Sequence, residues 1–205
     1  GSDMKNKPKH IVLYGYGLAD VALFLSRLFN SCNRKVIVCD CTREQNVYAC
    51  FKGRDSEMLP IDVEGIKYYC GYTDEPADIK IVTVGFAGLW HFENELNVLV
   101  TGYSSGKVTK CKSIAANIDN FVLMIKGAKQ APTGPNINMV SMLDNPIGLD
   151  IREIFSVGNN DAASARAEFF GIMEYEQLTR EYREFLKYVA LECGVDIISV
   201  MRVFR

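Results

Sequence analysis

A doubly wound α/β domain, a mostly parallel sheet with helices on both faces, is the fold this sequence predicts, and three observations carry it. Short, continuously apolar runs recur along the chain, as strands buried on both faces require. A helical segment separates the first two runs, the spacing of a right-handed crossover between parallel strands. Turn-forming clusters such as Gly15 to Asp20, Gly102 to Gly106 and Gly158 to Asp161 follow the runs.

The first strand is His10 to Tyr14, and the helix after it runs from Val21 to Phe29, with Val21, Leu25, Leu28 and Phe29 apolar and Ser31-Cys32-Asn33 at its end. Lys35 to Cys39 is the second strand. Thr42 to Glu64 is polar and mixed, with a short helix at Asn46 to Phe51 and a loop at Gly53 to Ser56. Strands follow at Gly65 to Cys70, Ile79 to Val84 and Asn97 to Thr101, then a helix at Lys107 to Ala116 and a strand at Asn120 to Ile125. Ala131 to Asn136, rich in proline and glycine, reads as a surface loop before further strand and helix signals. Ile151 to Val157 is the last strand. Glu174 to Leu191 is the strongest helix, with Leu178, Tyr182, Phe185, Leu186 and Val189 on one stripe, and Gly194 ends it.

Length and composition bound the function classes. The chain has 205 residues, enough for one well-buried α/β domain, read as residues 5–205 after an expression scar and start methionine at 1–4. A net charge of -2 gives no sign of a nucleic-acid-binding surface. Seven cysteines form an odd number without a regular framework, and several sit inside apolar runs, the pattern of a reduced cytoplasmic protein. Cys39 and Cys41 share a strand face, yet no second pair or nearby histidine gives them metal-ligand spacing. The two histidines, His10 and His91, lie near no Ser or Cys nucleophile motif.

Doubly wound sheets bind ligands beyond the carboxyl ends of their strands. Gly15, Tyr16, Gly17, Asp20, Asp40 and Asn160 fall on that rim and are the candidate binding residues; none is assigned a catalytic or metal-binding role. A glycine-rich turn opening a helix suits a phosphate, because backbone amides and the helix dipole both favour an anion. One reading is therefore a Rossmann-type sensor of NAD or another nucleotide, with Gly15 and Gly17 in the turn and Asp40 on the ribose. Asp20 stands where that motif has its third glycine.

The second element, Asp40-Cys41-Thr42-Arg43-Glu44-Gln45-Asn46, resembles another family more closely. Together with Gly15 to Phe29 it is similar to the ParA/MinD family, the deviant-Walker P-loop ATPases that position plasmids, division sites, flagella and pili. The resemblance spans nearly the whole chain and implies a P-loop-NTPase-like three-layer α/β/α fold, ATP or ADP as ligand, and a homodimer. It aligns Asn97 to Gly106 with the strand and loop carrying the family's catalytic Asp, and Asn160 with the residue that approaches adenine. The departures imply a degenerate member. In this alignment the phosphate-binding lysine becomes Asp20, the magnesium-ligating hydroxyl becomes Val21, and the catalytic Asp becomes Thr101 or Gly102. Like charges about 4 Å apart repel by roughly 4 kcal/mol at an effective dielectric of 20, so Asp20 is expected to oppose a triphosphate.

The bland readings stand beside these. Asp20 in a first helical turn is favoured by the dipole and by amide capping, and Asp40 at a strand end serves a turn. Tyr14 and Tyr16 either stack on a ligand or fill the pocket. Lys107 after Ser104-Ser105-Gly106 reads first as a solvated loop lysine. The implied function is an inactive scaffold or positioning factor, self-associating or bound to a larger pilus, secretion, conjugation or partition assembly. The tail Ile197 to Arg205 reads first as an element packed on the domain; its alternative is a weak membrane contact.

Overall fold

Ile11 to Tyr14 are wholly buried in β1 (His10–Gly15), the inner strand of an eight-stranded sheet in a computed structural model that describes residues 6–51, 60–102, 104–127 and 149–205. The remaining strands are β2 (Val36–Asp40), β3 (Ile61–Val63), β4 (Ile66–Cys70), β5 (Ile79–Gly85), β6 (Glu95–Thr101), β7 (Phe121–Lys126) and β8 (Ile151–Val157). Their order is β3-β4-β2-β5-β1-β6-β7-β8, with every pairing parallel except β3 with β4. The start at 1–4, the loop at 53–56 and the cluster at 131–136 lie outside the described residues.

The strand order decides between the two sequence readings. In the dinucleotide-binding order 3-2-1-4-5-6 the first two strands are neighbours. Here β5 lies between β1 and β2, and β1 pairs with β5 and β6. Asp40 at the end of β2 is therefore not beside the first strand, where ribose recognition in the dinucleotide fold takes place, and the Rossmann reading does not hold.

The helices are α1 (Leu18–Ser31), α2 (Asn46–Ala49), α3 (Ser105–Ala115), α4 (Asp161–Phe170), α5 (Arg180–Glu192) and α6 (Ile197–Val203). Five of them contribute to the apolar layer on one face, and α3 packs on the other through Val108, Cys111 and Ile114. Where no described helix lies, that second face is covered by half-buried rings, among them Tyr72, Trp90 and Phe92 with centroids 5.2 to 6.0 Å apart. α1 is buried almost all round because α4, α5 and α6 cover its outer side.

Differences from the sequence expectation have local causes. β3 and β4 form a hairpin whose two turn residues, Glu64 and Gly65, have φ of 53° and 86°, the type I′ geometry that suits strand twist. α4 escapes the periodicity test because only Ala163 and Ala167 are buried while Phe169 and Phe170 face outward. α5 begins six residues later than its apolar stripe suggests: Thr179 caps it by accepting from the Tyr182 amide, and a 3-10 turn fills Tyr175–Gln177. The tail is the helix α6, capped by Asp196, which accepts from the Ser199 amide at 2.8 Å.

Candidate functional site

Two cavities meet at Gly17 on the carboxyl rim of the sheet. The first, about 470 Å³, lies where β1, β2 and β5 end and α1 begins. Its shape depends on Gly15, whose φ is 98° and whose absent Cβ would lie 1.9 Å from the Val100 carbonyl oxygen. The same oxygen accepts from the Tyr16 amide at 2.9 Å, so the turn is stitched to β6. Gly17 follows in the left-handed region and supplies no side chain to cap α1.

Tyr16 lines this cavity, with Phe86 at 4.8 Å between ring centroids. Arg43 and Lys110 bring positive charge and Glu44 negative charge to the wall. The Lys110 ammonium sits 4.3 Å from the Phe86 centroid and 5.5 Å from that of Tyr16. Lys107, singled out in the sequence, lies one turn earlier with its stem against Gly102. Tyr14 is fully buried: its hydroxyl donates to the Trp90 carbonyl and accepts from the Trp90 amide, each at 3.0 Å.

The second cavity, about 390 Å³, opens between the ends of β7 and β8 and the start of α4, and Asp20 lines this one rather than the first. Only 2% exposed, the Asp20 carboxylate receives the Lys126 ammonium at 2.5 Å on Oδ1, and the Tyr182 and Ser164 hydroxyls at 2.6 and 3.0 Å on Oδ2. Lys126 also donates to the Gly17 carbonyl at 2.5 Å. The negative charge expected to repel a phosphate is thus met by an ammonium supplied from β7. Burial and the Asp20 charge raise the Tyr182 hydroxyl well above its ordinary pKa, keeping it a donor. The same two causes raise the Glu168 carboxyl on the cavity wall.

Asp40 and Asn160 are both committed to the scaffold. Asp40 Oδ1 accepts from the Thr42 amide (3.1 Å), the Thr42 hydroxyl (2.6 Å) and the Thr83 hydroxyl (2.9 Å), while Oδ2 accepts from the Val47 and Tyr48 amides at 3.0 and 3.1 Å. This carboxylate ties the β2 turn to β5 and anchors α2. Asp40→Ala is expected to cost about 2–4 kcal/mol, because it strands donors that a buried carboxylate satisfied. Urea unfolding checks this; a loss below about 1 kcal/mol would refute the assignment. Asn160 lines the second cavity, but its amide nitrogen donates to the Gly158 carbonyl at 2.9 Å and its oxygen accepts from the Thr179 amide at 2.7 Å. It pins the β8 turn to α5.

The rim therefore brings Gly15, Tyr16 and Gly17 together around one cavity and Gly17, Asp20 and Asn160 around the other, with Asp40 beneath. Lys126, Ser164 and Tyr182 had no sequence signal, since each is more than 100 positions from Asp20. Lys110 and Arg43 could have been found only by knowing which turns share the rim.

The residues present do not fit a magnesium triphosphate in the manner the family resemblance implies. The first turn of α1 offers Leu18, Ala19 and the engaged Asp20, and Val21 is fully buried. Among the described residues no group of three His, Cys, Asp or Glu side chains is placed to hold a metal ion. Burial pushes the Cys41 and Cys50 thiols up, to about 12 and about 11, and the described cysteines are all free.

No family model and no curated protein matches the sequence. Solved structures do. A putative plasmid partition protein from Borrelia burgdorferi, with AMPPNP bound, aligns over 97% of this chain and 98% of its own at a TM-score of 0.54 and 9% identity. A chain of the MinC:MinD cell division protein complex from Aquifex aeolicus aligns over 95% of both chains at a TM-score of 0.56 and 10% identity. Aquifex aeolicus MinD alone aligns over 95% of this chain and 96% of its own, at a TM-score of 0.51 and 9% identity. With the sheet order and the strand-end rim already in view, these alignments give the chain the α/β fold of the ParA/MinD-type partition and cell-division proteins.

Proposed function

We propose that this chain is a degenerate ParA/MinD-fold protein that does not hydrolyse ATP and works in the cytoplasm as a scaffold or positioning factor. It acts by self-association or by binding a larger assembly of pilus, secretion, conjugation or partition type. One observation carries the reading: the first turn of α1 presents Leu18, Ala19 and Asp20, with Asp20 already held by Lys126, Tyr182 and Ser164. A phosphoryl-transfer site works by placing cations and hydroxyls around the phosphates, and this turn supplies neither. The partner role is supported by the structural neighbours, among them a chain of the MinC:MinD cell division protein complex.

Purified protein with magnesium and ATP is expected to release no phosphate above the protein-free blank. Turnover that scales with protein concentration and stays with the protein through successive chromatographic steps would overturn the proposal. No described helix is long and apolar enough to cross a membrane.

A further inference from the structure

A third cavity, about 310 Å³, lies at the end of the sheet opposite the rim, where β1 and β5 begin and α1 and α5 finish. Its buried lining is apolar, made by Phe29, Ile79 and Cys193. Burial and Glu192 push the Cys193 thiol up to about 12, so it stays protonated and packs as an apolar group. Lys7 opposes that rise, which sets its charge near the apolar lining. Lys9 and Arg34 stand on the same wall, with Asp78 as the one carboxylate there.

The two lysines are not engaged elsewhere in the described structure. Among the described residues neither Lys7, Lys9 nor Arg34 makes an ion pair. Asp78 accepts from the Lys35 amide at 2.7 Å. Cations beside helix carboxyl ends commonly serve the last carbonyls, but here those carbonyls have donors. The Phe29 carbonyl accepts from the Cys32 and Arg34 amides and the Ala190 carbonyl from the Val195 amide, while Gly194 takes one guanidinium nitrogen of Arg34 at 3.0 Å.

We propose that this cavity binds a small amphipathic anion, its carboxylate or phosphate monoester head met by Lys7 and Lys9 and its apolar tail laid on Phe29, Ile79 and Cys193. An inorganic anion would leave the apolar lining uncovered, and an uncharged hydrocarbon would gain nothing from the two ammonium groups. A mostly apolar lining with a few polar groups that fix orientation is the usual form of a small-molecule site, at about 300–1,000 Å³. Allowing each heavy atom roughly the 30 Å³ that a water molecule takes in the liquid, the cavity holds about ten, the size of octanoate. Placed at the amino end of the sheet, the site does not depend on the scaffold reading of the rim.

Isothermal titration calorimetry of the full chain with octanoate and with octyl phosphate tests this. At least one is expected to bind at a single site with a dissociation constant of about 1 mM or below, and the tighter of the two names the head group. Octan-1-ol and inorganic phosphate are expected to bind at least about ten-fold more weakly, and either of them matching the amphiphile within about two-fold overturns the proposal. Lys7→Glu with Lys9→Glu is expected to weaken binding at least about ten-fold. The denaturation midpoint of that variant without ligand is expected to match wild type, because neither lysine makes a described ion pair. Affinity is also expected to stop rising near a tail of about eight carbons, where the cavity is full. A steady rise through dodecanoate, as on an open apolar surface, overturns the proposal. So does binding that survives the lysine variant and is lost in Lys110→Glu at the rim, and so does the absence of binding by both amphiphiles.

Discussion

Replacing Asp20 with alanine is expected to lower the unfolding free energy by about 3–5 kcal/mol, the cost of removing one partner from a buried ion pair. For a chain of this length that corresponds to a fall in melting temperature of roughly 6–20 °C. The size follows from what is left behind. Lys126, 24% exposed in its side chain, would keep only the Gly17 carbonyl among the described residues, and the buried Tyr182 and half-buried Ser164 hydroxyls would lose their shared acceptor. Lys126→Met is expected to be similarly costly, because it strands the carboxylate. The double variant should lose clearly less than the two single losses added together, since neither charge is then left alone. Urea unfolding of the four proteins measures that coupling. Strict additivity would show that the pair does not act as a unit, and the assignment of Asp20 to the scaffold would fail.

Gly15→Ala is the second large effect, expected at about 3 kcal/mol or more, with loss of soluble protein as its practical sign. The added Cβ would lie 1.9 Å from the Val100 carbonyl oxygen at a backbone φ of 98°, where an L-residue is strained whatever the space. Val100 cannot yield, because β6 is held between β1 and β7 in the sheet interior. Gly17→Ala is the control. Its φ is 58° and the nearest atoms its Cβ would meet belong to the Lys126 side chain, at 3.2 Å or more, with no backbone among them, so its cost is expected to be about 1–2 kcal/mol. Denaturant midpoints of the two variants separate the cases, and a Gly15→Ala protein within about 1 kcal/mol of wild type would mean the turn is not built this way.

These two residues show how differently parts of the rim could be read in advance. Gly15 was legible because a glycine between an apolar strand and a helix marks a turn by local stereochemistry. Asp20 was legible as an acid in a first helical turn, but its meaning was not. The expected repulsion of phosphate assumed an uncompensated charge, and the compensating ammonium lies 106 positions away. Asp40 was placed at the end of its strand, yet which of ribose, water or turn it served depended on Thr83 of β5 and on the amides of α2. α4 was missed because its apolar rings face outward, so burial left no periodic trace.

The sequence by itself determined the class of fold. Apolar runs, glycine turns and a covering helix record which residues must leave water, and that local information specifies parallel strands with ligand-facing loops at one end. Tertiary structure alone decided that β5 inserts between β1 and β2, that Lys126, Ser164 and Tyr182 converge on Asp20, and that two cavities meet at Gly17. A buried run specifies that it needs neighbours but not which neighbours, because hydrophobic burial is non-directional. Ion pairs and hydrogen bonds are directional, and their partners here are set by how the strands are ordered.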